Sequence, residues 1–120
     1  MASKKIIICD DDAGIVDVLE LMLEDTGHIV IPELKSLNVK ALIENKEPDL
    51  LILDLWMPVI SGDQILKMIR SNPKTMNLPV IVMSASRDGA EIAAAAGANA
   101  YLAKPFDFDH VLAVVEECLN

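Results

Sequence analysis

Five short runs of apolar residues alternate with longer segments of helical period along this sequence. The runs are apolar throughout, which is typical of strands in a sheet that is covered on both faces. They predict strands at residues 5–9, 28–32, 49–54, 78–84 and 99–103. The segments between and after them predict helices at residues 14–26, 36–45, 62–71, 88–96 and 107–119. This alternation indicates an α/β fold with a doubly wound, five-stranded parallel sheet.

The size of the chain indicates one domain. It has 120 residues, of which 52% are hydrophobic and 24% are charged, a mix that suits a compact fold with a real core. We therefore expect residues 1–120 to form a single domain.

Because only Trp56, Tyr101 and two phenylalanines are aromatic, we expect the core to be mainly aliphatic.

The charge pattern excludes some partners. The formal net charge is -9 and the lysines and arginines are scattered, so we expect no nucleic-acid partner. No apolar run approaches the roughly 20 residues that span a bilayer, so we expect no membrane partner and a cytoplasmic location. Cys9 and Cys118 lack the C-x-x-C spacing of metal or redox pairs, and zinc is not indicated.

Polar residues stand where the predicted strands end. Asp10 and Asp11 follow the first strand, Asp54 ends the third, Ser84 ends the fourth, and Lys104 follows the fifth. In a parallel sheet these ends share one edge, where ligands bind. Carboxylates gathered there repel one another, and an oxygen-rich site of this kind suits Mg²⁺ better than Ca²⁺. Asp54 alone could be a helix cap, but the combination indicates phosphoryl transfer to a carboxylate nucleophile.

The same residues carry a family resemblance along essentially the whole chain. The motifs are "IIICDDD", "LILDLWMP" followed by Ser61 and Gly62, "PVIVMSAS" and "GANAYLAKPFD". In their order and spacing the sequence resembles the receiver domains of bacterial response regulators. That resemblance implies a flavodoxin-like (βα)5 fold and a signalling switch driven by phosphorylation.

The resemblance also implies a role for each site residue. Asp54 matches the phosphoacceptor, and Ser84 and Lys104 complete the catalytic set. Asp11 would bind Mg²⁺ directly and Asp10 through water. The implied metal ligands are Asp10, Asp11, Asp54 and the backbone carbonyl of Trp56.

Ser84 and Tyr101 match the switch positions of the family, where the hydroxyl moves toward the phosphoryl group and the aromatic ring turns inward. A tyrosine that only fills the core is the alternative. Asp12 has no role in the family pattern and is expected to cap the first helix. The bond between Lys104 and Pro105 is expected to be cis, as is typical of the family.

The implied partners are a sensor histidine kinase or a histidine phosphotransfer protein as donor, and a downstream protein target. The chain would be a phosphoacceptor and not an enzyme in the usual sense. It would catalyse its own phosphorylation and a slow dephosphorylation, because the bulky Trp56 would impede the attacking water. The start "MASKK" favours a free-standing protein or an N-terminal domain, and a receiver cut from a longer chain stays open.

Two other readings compete with a receiver. A phosphatase of the haloacid dehalogenase type shares the Asp, Ser or Thr, Lys and Mg²⁺, but needs a second Asp where this chain has Trp56. A degenerate receiver that only binds partners would have lost an essential residue.

The segment between Ser84 and Lys104 is slightly shorter than is usual in the family. The wide apolar arc of the first helix also suggests a docking patch at Ile15, Val18 and Met22, unless neighbouring elements cover it.

Overall fold

The computed structural model describes residues 3–120, so the first two residues of the predicted domain lie outside it. Five strands and five helices alternate along the described chain. The strands are β1 Lys5–Cys9, β2 Ile29–Glu33, β3 Leu50–Asp54, β4 Val80–Ser84 and β5 Ala100–Ala103. The helices are α1 Ala13–Leu23, α2 Val39–Lys46, α3 Gly62–Ser71, α4 Gly89–Ala96 and α5 Phe108–Leu119.

All five strands pair in parallel in the order β2-β1-β3-β4-β5. This confirms the predicted doubly wound sheet and its flavodoxin-like order. The three central strands are buried along nearly their whole length, as runs that are apolar throughout require. Because side chains alternate between the two faces of a strand, each central strand contributes side chains to two separate hydrophobic cores.

The two cores lie on opposite faces of the sheet. One face packs Ile7, Leu51 and Val82 against α2, α3 and α4. The other face packs Ile8 and Ile52 against α1 and α5. The buried hydrophobic residues on both faces are aliphatic or sulfur-containing, as the scarcity of aromatic residues predicts.

The element boundaries differ from the predicted ones by a few residues. The predicted helix 14–26 is α-helical only to Leu23, and Glu24–Thr26 forms a 3₁₀ turn that ends at Gly27, where φ is 80°. The predicted helix 36–45 likewise begins with a 3₁₀ turn at Ser36–Asn38. Short 3₁₀ turns at helix ends satisfy backbone groups that have no α-helical partner, and apolar periodicity does not reveal them.

Side-chain caps mark where α1 and α5 begin. The Oδ1 atom of Asp12 accepts hydrogen bonds from the backbone N–H groups of Gly14 at 2.9 Å and Ile15 at 3.4 Å, which confirms the predicted cap of α1. Asp107 accepts from the N–H of His110 at 3.1 Å at the start of α5. These bonds place α1 and α5 directly after the carboxyl ends of β1 and β5.

The apolar arc of α1 is mostly covered. Ile15 and Met22 are partly buried against the core formed with α5, and Val18 is 42% exposed. Neighbouring elements therefore cover most of the suggested docking patch. Among residues 3–120, none of the helices is both long and apolar enough to cross a bilayer.

The start of α3 packs backbone to backbone against the end of β3. The N–H of Gly62 donates to the carbonyl of Leu55 at 2.8 Å. A Cβ atom at Gly62 would overlap the carbonyl oxygen of Asp54 and would lie 2.9 Å from Cα of Leu55. Only glycine fits this contact.

We expect Gly62→Ala to lower the free energy of unfolding by about 2–3 kcal/mol, because backbone atoms at the clash cannot move aside. Gly27→Ala is the matched control: its Cβ would meet nothing within 4 Å, but its φ is 80°. That control should lose only about 1 kcal/mol, from backbone strain. Urea unfolding measures both losses, and an equal or smaller loss at Gly62 would contradict the close contact.

Candidate functional site

The crevice of the sheet lies between β1 and β3. These strands are neighbours, but the chain leaves β1 toward β2 on one side and leaves β3 toward β4 on the other. A reversal of this kind opens a crevice at the carboxyl ends of the strands, where ligands bind in open α/β sheets. Cys9 is paired with Leu53, so the residues that follow them, Asp10 and Asp54, lie side by side at this crevice.

Lys104 joins the two aspartates. Its Nζ donates to Oδ2 of Asp10 at 2.8 Å and to Oδ1 of Asp54 at 3.0 Å. Asp10 is 1% exposed and Asp54 is 4% exposed, so both carboxylates are nearly removed from water. Burial of two unpaired carboxylates would be severely unfavourable, and the shared ammonium group offsets that cost. The peptide bond from Lys104 to Pro105 is cis, as expected.

The ionisation of the site follows from this contact. Burial raises the pKa of Asp54 to about 6, although the hydrogen bond from Lys104 opposes the rise. For Lys104, burial lowers the pKa, but the hydrogen bonds to Asp10 and Asp54 outweigh that effect and the net pKa is raised. At neutral pH the lysine is therefore charged and Asp54 is largely ionised, as a nucleophile requires.

A third carboxylate completes an oxygen-rich cluster. Asp10, Asp11 and Asp54 each offer a carboxylate oxygen, and these oxygens lie within 4.8 Å of one another. Asp11 is exposed, so the cluster opens to solvent on its side. Three carboxylates and one ammonium group leave a formal charge of two negatives, which matches a divalent cation. Hard oxygen donors with room for water are the ligands that Mg²⁺ prefers, so the residues present fit this ion.

The remaining predicted residues gather in a second cluster beside the first. Ser84 is 1% exposed, and its Oγ lies 3.0 Å from the backbone N of Ser86 and 2.8 Å from Oγ of Ser86. The hydroxyl of Tyr101 donates to the carbonyls of Ser84 at 3.1 Å and Ser86 at 3.4 Å. Trp56 is 52% exposed, and its Nε1 donates to Oγ of Ser86 at 3.1 Å.

The structure thus brings Asp10, Asp54 and Lys104 into direct contact, with Asp11 beside them. The central residue of the second cluster, Ser86, was missed by the sequence reasoning. Its only signal was its place two residues after a strand-ending serine, in the motif "SAS". A serine at that spacing can donate its backbone N–H to the earlier hydroxyl, which is a common local turn.

Comparison with known proteins identifies the family. Residues 6–116 match the sequence profile described as the response regulator receiver domain. The chain belongs to the response-regulator receiver family. Receiver domains take part in two-component signalling, and this membership removes the dehalogenase-type reading.

Individual relatives agree with this assignment. The chain is 32% identical to RpaA of Synechocystis sp., described as a DNA-binding dual master transcriptional regulator, over 97% of this chain but only 49% of RpaA. It is 34% identical to a 14.6 kDa protein encoded in the sodA1 3′ region of Leptolyngbya boryana, over 99% of this chain and 93% of that one.

A solved structure shows the same fold. A protein of Chloroflexus aurantiacus, provisionally described as a response regulator, superposes with a TM-score of 0.94 at 31% identity. The match covers 98% of each chain. The two chains therefore share one fold over nearly their whole length.

The lysine contact makes a prediction for stability. In EDTA, Lys104→Met leaves two buried carboxylates without their shared cation. Because Lys104 is partly exposed, we expect the free energy of unfolding to fall by about 2 kcal/mol, below the range for fully buried pairs. Lys5→Met is the control, since the Lys5 Nζ donates to the carbonyl of Lys46 at an exposed position.

Chemical denaturation of both receiver variants measures the two losses. The control should lose less than about 0.5 kcal/mol. Adding Asp54→Asn to Lys104→Met should restore part of the lost stability, because it removes one of the two repelling charges. Equal losses for Lys104→Met and Lys5→Met would show that the lysine does not hold the carboxylates together.

Proposed function

We propose that residues 1–120 form one receiver domain that accepts a phosphoryl group on Asp54 and signals through the resulting conformational change. The observation that carries this proposal is the position of Asp54. Its carboxylate ends the central strand at the crevice, is nearly buried, and is bonded to Lys104 at 3.0 Å beside Asp10 and Asp11. A lone structural carboxylate would not need a lysine and two further acids around it.

The proposed reaction is a displacement at phosphorus. A carboxylate oxygen of Asp54 attacks the phosphorus of a phosphohistidine, an O–P bond forms, and the N–P bond of the donor breaks. The imidazole leaves with the electron pair of that bond and takes a proton from solvent. Lys104, already placed at the carboxylate, stabilises the negative charge on the transferred oxygens.

Asp10, Asp11, Asp54 and the backbone carbonyl of Trp56 are the residues that we propose hold Mg²⁺. When bound there, the ion supplies positive charge that reduces the repulsion between the carboxylates and the phosphoryl oxygens. Trp56 follows Asp54 by two residues, in the loop that leaves β3. The oxygen donor set of this chain supports the assignment, and Asp11 provides its solvent-facing side.

The switch we propose uses Ser84 and Tyr101. A phosphoryl group on Asp54 adds strong hydrogen-bond acceptors and about two negative charges. Ser84 follows Met83, the residue of the adjacent strand β4 that is paired with Asp54, and carries the hydroxyl that we propose as the donor. If its hydroxyl turns toward Asp54, the contacts that now hold Tyr101 over the loop change as well. Phosphorylation would then shift the population between two packings of this loop.

The donor we propose is a sensor histidine kinase or a histidine phosphotransfer protein, and the output is a contact with a downstream protein. RpaA is described as DNA-binding, but the chain spans about half of that relative. The net charge of -9 argues against nucleic-acid binding by this domain itself.

The first functional prediction concerns the acceptor. With acetyl phosphate and Mg²⁺, the intact mass of the wild-type protein should rise by one phosphoryl group, and Asp54→Ala should show no rise. Asp49→Ala is the matched control, because Asp49 accepts a bond from the backbone of Lys5 at the other end of β3. The control should be labelled like the wild type. Labelling of Asp54→Ala would place the acceptor elsewhere, and an unlabelled wild type would defeat the proposed function.

A second prediction concerns the lifetime of the phosphorylated form. The indole N–H of Trp56 donates to Oγ of Ser86 at 3.1 Å, and we propose that the ring held there shields Asp54 from one approach of water. We expect Trp56→Asn to lose its phosphoryl group several-fold faster than the wild type. Intact mass, followed over time after the donor is removed, measures both rates. A wild type that hydrolyses as fast as Trp56→Asn would contradict the shielding.

A further inference from the structure

A chain of hydrogen bonds connects Trp56 to the buried hydroxyl of Ser84. The indole N–H of Trp56 donates to Oγ of Ser86 at 3.1 Å, and this oxygen lies 2.8 Å from Oγ of Ser84. We refer to Trp56, Ser86 and Ser84 as the hydroxyl latch. It links the loop after β3, which begins directly after Asp54, with the loop after β4.

The side chain of Ser84 is held by Ser86. Within residues 3–120, its Oγ accepts from the backbone N–H of Ser86 at 3.0 Å and shares a hydrogen bond with the Ser86 hydroxyl at 2.8 Å, in which either oxygen can be the donor. Lys104, by contrast, is bonded to Asp54. A Ser84 hydroxyl that donates to Oγ of Ser86 can donate to a group on Asp54 only by turning away from Ser86.

The loop of Ser84 and Ser86 is also held from the side of β5. The Tyr101 hydroxyl donates to the backbone carbonyls of Ser84 and Ser86. The start of α4 packs closely against the same residues. A Cβ atom at Gly89 would lie 2.5 Å from the Tyr101 hydroxyl and 3.0 Å from Cβ of Ser84. The loop thus has little room to relax unless these contacts break.

Resting on the proposed function, we propose that Trp56 and Ser86 are positioning residues that hold the Ser84 hydroxyl away from Asp54 in the unphosphorylated protein. The phosphoryl group competes with Ser86 for this hydroxyl. The strength of the latch therefore sets how readily phosphorylation switches the loop. Trp56 acts through Ser86, because its indole fixes the Ser86 hydroxyl that in turn holds Ser84.

Three variants separate this role from simple packing. Trp56→Phe keeps an aromatic ring but removes the N–H donor. Ser86→Ala removes the hydroxyl and keeps the backbone N–H that donates to Ser84. Ser86→Thr retains a hydroxyl at the same position and should behave like the wild type.

The first measurement needs neither metal nor donor. In EDTA, amide hydrogen exchange by NMR reports how often the Ser86 N–H leaves the Ser84 hydroxyl. Loss of one partly exposed hydrogen bond should speed this exchange about threefold in Trp56→Phe. Unchanged exchange would show that the indole does not hold the loop.

The second measurement is the affinity for beryllium fluoride, used as a phosphoryl analogue with saturating Mg²⁺ and followed by calorimetry. Trp56→Phe and Ser86→Ala should each bind it about threefold more tightly than the wild type, since less of the latch must break. The double variant should bind no more tightly than Ser86→Ala alone, because both changes act on one chain of bonds. Weaker or unchanged binding, or effects that multiply in the double variant, would overturn the latch.

The outcomes also separate the latch from the proposed function. A wild type that gains a phosphoryl group from acetyl phosphate and binds beryllium fluoride, with variants of equal affinity, leaves the function standing and removes the latch. A wild type that neither gains a phosphoryl group nor binds beryllium fluoride would contradict both the proposed function and the latch.

Discussion

The ion pair of one lysine with two buried aspartates is the interaction on which the site depends. Asp10 and Asp54 are neighbours across β1 and β3 and are almost inaccessible to water. Burial of two such carboxylates without a cation between them would be severely unfavourable. Lys104 reaches them from the end of β5, which is separated from β3 by β4. The contact therefore draws together three strand ends that are not all adjacent in the sheet.

A charged cluster and a neutral one meet at β4. The charged cluster is centred on Lys104, and the neutral one on Ser86. Ser84 belongs to the neutral cluster through its hydroxyl, while its carbonyl accepts from the backbone N–H of Lys104 at 2.9 Å. A backbone hydrogen bond thus joins Lys104 of the charged cluster directly to Ser84 of the neutral cluster. This proximity gives the proposed switch its physical basis.

Much of the fold could be predicted from the sequence because a sheet covered on both faces needs strands that are apolar throughout. The parallel order then placed the strand-ending residues at one edge, so Asp10, Asp54 and Lys104 could be expected to meet. The 3₁₀ turns at Glu24–Thr26 and Ser36–Asn38 were not predictable from periodicity, because they depend on how the backbone closes each helix. Nor was the contact of Trp56 with Ser86, because it depends on the conformations of two loops.

The central place of β3 has a mechanical consequence. This strand is bonded to β1 on one side and β4 on the other, and both of its faces are covered. The main chain at Asp54 is therefore a fixed reference point that cannot shift without breaking the sheet. In the proposed function, a phosphoryl group on this carboxylate would therefore change the loops around it and not the strand, and a partner that distinguishes the two states would contact those loops and the helix ends.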